Sequence, residues 1–216
     1  MTTPSELIIL NLTKVKDNSV VIHTLSREFG RRSFIVSVGK GTSMAMFLPL
    51  NIVEAEIQDS KVSSLWRARN FQSAYPLTGI RQNIYKNSMT LFMSEVLYRT
   101  VKDGANEPGL YDWCAKNILK LDAIEENFAN FHLWFLMEFA MALGFAPSAE
   151  DMMPFAGDRF AQIKALLNFS FAEAMMMPLR GEERNEIAEC FLKYISFHTD
   201  SVINVQSLHV LRELFA

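Results

Sequence analysis

The chain is poor in the features that mark several protein classes. It has two cysteines in 216 residues, Cys114 and Cys190, far apart and outside any paired spacing. A disulfide framework and a four-ligand zinc module both need more than that, so two reduced core thiols are expected, with no metal and no cofactor. Nine glycines and seven prolines are too few for a collagen-like or low-complexity chain. No apolar run reaches the roughly 18 residues that a membrane-spanning helix needs. The start, MTTPSELIIL, shows neither a basic region nor a small-residue cleavage site, so the cytoplasm is the expected compartment and no membrane partner is expected.

Core material is abundant. Half the residues are hydrophobic, with seventeen phenylalanines and twelve methionines. The net charge of −3 conceals a division: Met1 to Arg81 carries ten Lys/Arg against six Asp/Glu (+4), and Gln82 to Ala216 eleven against eighteen (−7). A polyanion would meet the basic front.

The front reads as short strands. Leu7 to Leu12 is an apolar run, and Ser19 to Leu25 is rich in Val, Ile and Thr, which suit a pleated surface. Phe34, Val36 and Val38 alternate with Ser33 and Ser37, the period of a half-buried strand. Met46 to Ile57 is β-favouring, with Pro49 at a bulge or an edge, and Ser63 to Tyr75 supplies a fifth strand. Five strands in this length fit a small closed barrel, most commonly the oligonucleotide-binding fold. After Pro76 the period becomes helical. Tyr85, Met89, Phe92 and Val96 mark one helix ending near Lys102, and Leu110 to Leu121 a second. The stripe Phe128, Phe131, Phe135, Phe139 marks a third, closed by Gly144 and Pro147. Asp158 to Phe171, Glu182 to His198 and Gln206 to Phe215 complete about six helices. The expected fold is α+β: a five-stranded barrel over 1–76 packed against a helical domain over 77–216.

Motifs for chemistry are sparse. Gly39-Lys40-Gly41-Thr42 lacks both the earlier glycine and the Ser/Thr after lysine that a phosphate loop requires. Ser196, His198 and Asp200 are triad residue types on one short segment, where they cannot converge on a carbonyl. His132 beside the phenylalanine stripe reads as a satisfied helix residue rather than a base. The glutamates from Glu182 to Glu189 read as a solvated helix face that complements the helix dipole. Catalysis is not expected. The basic residues are better placed: Lys14, Lys16, Arg31, Arg32, Lys40 and Arg67 lie at strand ends and loops, with Arg69 and Trp66 alongside. Cations on a small barrel neutralise phosphates, and an aromatic ring offers a stacking face. Trp66 also fits a core position.

The run DNSVVIHTLSREFGRRSFIVS, Asp17 to Ser37, resembles the opening of the RecO family. The likeness continues through Leu48-Pro49-Leu50, through Leu91, Glu95 and Leu97, through the FHLWFLMEFAMALGFAP segment, and into Ser207 to Phe215. It implies a non-enzymatic recombination mediator of DNA repair. Such a protein binds single- and double-stranded DNA without sequence preference and anneals strands. It contacts the C-terminal tail of single-strand DNA-binding protein and works with RecR to load RecA. Four departures stand out against that family. The four-cysteine zinc module of many members cannot be built, and Lys40 alone remains where relatives have a lysine-rich loop. The stretch between Pro147 and Phe160 is short, and Glu138 replaces a basic residue on the phenylalanine helix. The alternative reading is a divergent protein-interaction scaffold of the same fold with little DNA binding.

Overall fold

The computed structural model describes residues 2–39, 43–60, 63 and 65–215. Contacts divide the chain into two compact units, Met1–Thr78 with Val101–Ile118, and Gly79–Thr100 with Leu119–Ala216.

In the first unit, β1 (Thr3–Lys16), β2 (Ser19–Ser26), β3 (Gly30–Ser37), β4 (Ile52–Gln58) and β5 (Trp66–Ser73) form a closed barrel in the order β1-β2-β3-β5-β4. The long β1 closes it by pairing with β4 through its first half and with β2 through its second. Leu7, Ile9, Val20, Ile22, Phe34, Val36, Val53 and Ile57 alternate inward and fill the interior, as the period of two requires. Phe47 and Phe71 meet edge to face at 5.0 Å within that core. Between β3 and β5 the pairing is parallel, at Phe34↔Trp66 and Ile35↔Arg67 among the described residues.

The expected strand from Met46 is corrected at its start. Met44–Phe47 is a turn of 3-10 helix capped by Ser43, and β4 begins only at Ile52. Leu50 adopts φ 58 there, while its N–H bonds the Ile9 carbonyl at 2.8 Å. Gly30 opens β3 at φ +62, and a Cβ on it would lie 2.2 Å from the Ala105 carbonyl oxygen. The approach is close because Arg31 N–H donates to Ala105 and Gly104 N–H to Arg31, each at 2.8 Å. Residues 104–105 thus extend the ladder at the start of β3. The first residues of α3 (Leu110–Ala123) also belong to this unit.

The remaining helices are α1 (Thr78–Arg81), α2 (Ile84–Thr100), α4 (Phe131–Ala142), α5 (Ala149–Ala156), α6 (Phe160–Asn168), α7 (Phe171–Met176), α8 (Gly181–Thr199) and α9 (Ser207–Leu214). α4 is apolar around most of its circumference, the composition of a central helix. Phe131, Phe135 and Phe139 are fully buried, with Phe135 and Phe139 stacked at 5.9 Å. Phe128 lies before the helix, half-buried beneath the Lys86 ammonium. The short α5 and α7 start with capping boxes, Ser148–Asp151 and Ser170–Glu173. Glu95 of α2 accepts from both the N–H and the hydroxyl of Ser207, at 2.9 and 2.7 Å, and so caps α9. Burial alone would raise that carboxyl, yet the hydrogen bonds from Ser207 and Arg99 together hold it below its ordinary range.

Candidate nucleic-acid interface

One end of the barrel gathers cations. Lys14 and Lys16 close β1 opposite Val20 and Ser19 of β2, and those residues in turn face Val36 and Ser37 of β3. Two residues back on β3, Ile35 faces Arg67 of β5, which faces Gln58 of β4 on its other side. With strands about 4.8 Å apart, Lys14, Lys16 and Arg67 occupy one rim, and all three are exposed. Lys14 lies 3.6 Å from the fully exposed Asp17, a contact that solvent and salt weaken. Lys16 and Arg67 have no ion pair among the described residues.

The rim is indented beside the β3–β5 pairing. Two depressions of about 540 and 390 Å³ share Ile35, Gln58 and Arg67. Ser19, Ser37 and Asn70 line the first, and Asp59, Ser60 and Ser63 the second. Arg69, two residues beyond Arg67, shares its outward side and contacts Glu56 at 3.2 Å. The polar rim and exposed arginines suit an extended polyanion held through its backbone. Lys40 lies outside the described residues.

The opposite end of β3 is different. Arg31 is 3 % exposed, and its guanidinium contacts Asp103 at 3.5 Å. Arg31 stands at a strand start as its sequence position suggests, but it is covered by segment 103–105, from about seventy residues away in sequence. Arg32 is half-buried, with its guanidinium 4.8 Å from the Trp66 ring. Trp66 also meets Phe29 and Phe34 edge-on at 5.2 and 6.4 Å. The tryptophan is thus largely core, with one ring face already holding a cation. Arg27 pairs with Asp112 at 2.7 Å and lies over Tyr111.

His23 lies between Thr13 and Ser33, at 3.2 and 2.8 Å, and Ser33 donates to Asp103 at 3.2 Å. Burial, then the charge of Arg31, lowers the His23 pKa against the opposing pull of Asp103. The imidazole is neutral near pH 7 and adds no charge to the interface. The arrangement is no triad, because the serine stands between the histidine and the carboxylate.

Other candidates resolve similarly. His132 is buried against Phe92 and pushed down to about 3, by burial first and then by the Arg184 charge, so it is no base near neutrality. Ser196 donates to the Ser201 carbonyl, and His198 stacks on Phe145 at 5.0 Å. Glu183 and Glu186, read above as solvated, both pair with Arg159. Cys114 and Cys190 are buried thiols, and no three His, Cys, Asp or Glu gather around a metal position among the described residues. Among the described residues no helix is long and apolar enough to cross a membrane.

A closed five-stranded barrel, followed in the chain by helices, is the architecture of an OB-like barrel protein with a helical C-terminal part. Residues 81–153 match the family described as recombination protein O C terminal. The DNA repair protein RecO of Bacteroides fragilis is 30% identical, over 96% of this chain and 97% of its own length. The DNA repair proteins RecO of Phocaeicola vulgatus and Flavobacterium psychrophilum are 29% and 23% identical, over 97% and 100% of both chains respectively. The chain belongs to the RecO family, and its role lies in DNA repair.

Proposed function

We propose that the protein is a non-enzymatic recombination mediator. It binds single- and double-stranded DNA without sequence preference, anneals complementary strands, and works with RecR and the C-terminal tail of single-strand DNA-binding protein to load RecA. Residues 1–76 form the DNA-binding part and residues 77–216 the partner-binding part, acting in the cytosol at the nucleoid. The observation that carries this reading is that Lys14, Lys16 and Arg67 stand exposed at one end of the barrel strands, with Arg67 lining a polar groove there. The proposed contacts are exposed lysines and an arginine, which position a backbone rather than read a sequence. Lys40 belongs to the same proposed set. Arg32 contributes from the start of β3, beside Trp66, whereas Arg31 acts by holding that start in place. The test is annealing of two complementary oligonucleotides by the full chain, compared with a Lys16→Ala/Arg67→Ala variant. Faster annealing by the parent alone supports the reading; no acceleration by the parent refutes it.

A second reading is a scaffold of the same fold with little DNA binding. It is favoured by the neutralisation of Arg27, Arg31 and Arg69 by Asp112, Asp103 and Glu56.

A further inference from the structure

One face of α8 forms the floor of a depression in two adjoining parts that share Glu189. Its first part, about 470 Å³, is lined by Glu182, Glu186 and Glu189, with Arg212 of α9 opposite. Its second part, about 790 Å³, is lined by Glu189, Leu192, Phe197 and Leu208 and by the chain leaving α8. Glu189 belongs to both. The floor positions recur every three or four residues, so a single stripe of the helix supplies them.

The two parts differ in character. At the far end Phe197 is 71% and Val202 91% exposed, beside Ile203 and Val205. Exposed apolar side chains concentrated at one groove mark a binding surface more often than scattered single ones do. Along the whole length, four carboxylates (Glu182, Glu186, Glu189 and Asp200) share the lining with Lys193 and Arg212, a net charge of −2; of the four, Glu186 is paired with Arg159 and Glu189 with Arg212. Glu182 and Asp200 have no ion pair among the described residues. Asp200 also ends α8, where it adds to the negative end of the helix dipole.

We propose that this groove docks a basic, amphipathic helical segment of a protein partner. Its apolar side chains pack on Phe197 and Val202, and its lysines or arginines meet Glu182 and Asp200. The length of α8, 19 residues or about 28 Å, sets the length of segment it can hold. A phosphate backbone is repelled here, so the surface is separate from DNA binding by the barrel. Charge complementarity of this kind selects partners and rejects acidic ones.

The full chain is titrated into two labelled synthetic helices of about 18 residues, one of leucine and lysine and one of leucine and glutamate, with anisotropy as the readout. Saturable one-to-one binding of the lysine helix alone is expected. Phe197→Ser/Val202→Ser should weaken it by about tenfold or more, the size of a hot-spot loss. Glu182→Gln/Asp200→Asn should weaken it and flatten its salt dependence, while Lys16→Ala changes nothing. All these positions are exposed, and circular dichroism verifies the fold of each variant. Preferred binding of the glutamate helix, affinity unchanged in both groove variants, or self-association of the chain through Phe197 in sedimentation overturns the proposal.

Discussion

Arg31→Ala separates structural from binding roles in the barrel. The Arg31 side chain is almost wholly buried, its guanidinium contacts Asp103, and its backbone holds Gly104 and Ala105. Truncation removes a packed aliphatic stem and leaves Asp103, itself about half exposed, without its cation. A fully buried pair broken on one side costs about 3–5 kcal/mol; solvent access on the carboxylate side reduces that to about 2 kcal/mol. In urea unfolding followed by circular dichroism, the midpoint should fall with the slope unchanged. Arg67 is exposed and has no ion pair among the described residues, so Arg67→Ala should leave stability within about 0.5 kcal/mol of the parent. In DNA titrations the order reverses: Arg67→Ala lowers affinity and salt dependence, and folded Arg31→Ala changes neither beyond its loss of fold. An Arg31→Ala variant of parental stability that loses DNA affinity would refute this assignment.

Burial of His132 predicts an acid-sensitive fold. With the folded pKa near 3 and the unfolded one near 6.5, only the unfolded state gains the proton as pH falls below about 6.5. Stability should therefore drop by about 2 kcal/mol between pH 7.5 and 5, and a folded His132→Phe variant should lack that component in urea unfolding. Phe135→Ala removes a fully buried ring and should cost about 3–5 kcal/mol; thermal unfolding at the parent temperature would contradict its core role. Gly30→Ala places a Cβ against the Ala105 carbonyl at a positive φ and should cost at least about 2 kcal/mol, with unchanged stability as the contrary outcome.

How far the sequence discloses this structure depends on the range of each interaction. The alternation from Phe34 to Val38 and the helical recurrence from Tyr85 to Val96 are local signals, and β3 and α2 lie where those signals place them. The strand expected from Met46 fails locally because Asn51 and Leu50 bond back to Ile9 of β1, which a propensity scale does not see. α1 is too short for periodicity to reveal, and Pro154 inside α5 conceals that helix although Ser148 and Asp151 cap it. Lys14, Lys16 and Arg67 were legible as basic residues at strand ends, but only the barrel register brings them onto one rim. Arg69 carried a readable signal, two residues beyond Arg67 on the same side of β5. The covering of Arg31 by Asp103 and the pairing of Arg27 with Asp112 carried none, since both carboxylates come from a distant stretch with helical neighbours.

The most direct test is the affinity of the full chain for a labelled mixed-sequence single-stranded oligonucleotide at a series of salt concentrations. Three rim cations contributing about 0.7 each predict a log-log slope of at least about −2 in magnitude. Unrelated base sequences should give the same slope, and Lys16→Ala/Arg67→Ala should flatten it by about 1.4. Tight binding indifferent to salt, or a double variant with the parental affinity and slope, would contradict a DNA interface on the barrel rim.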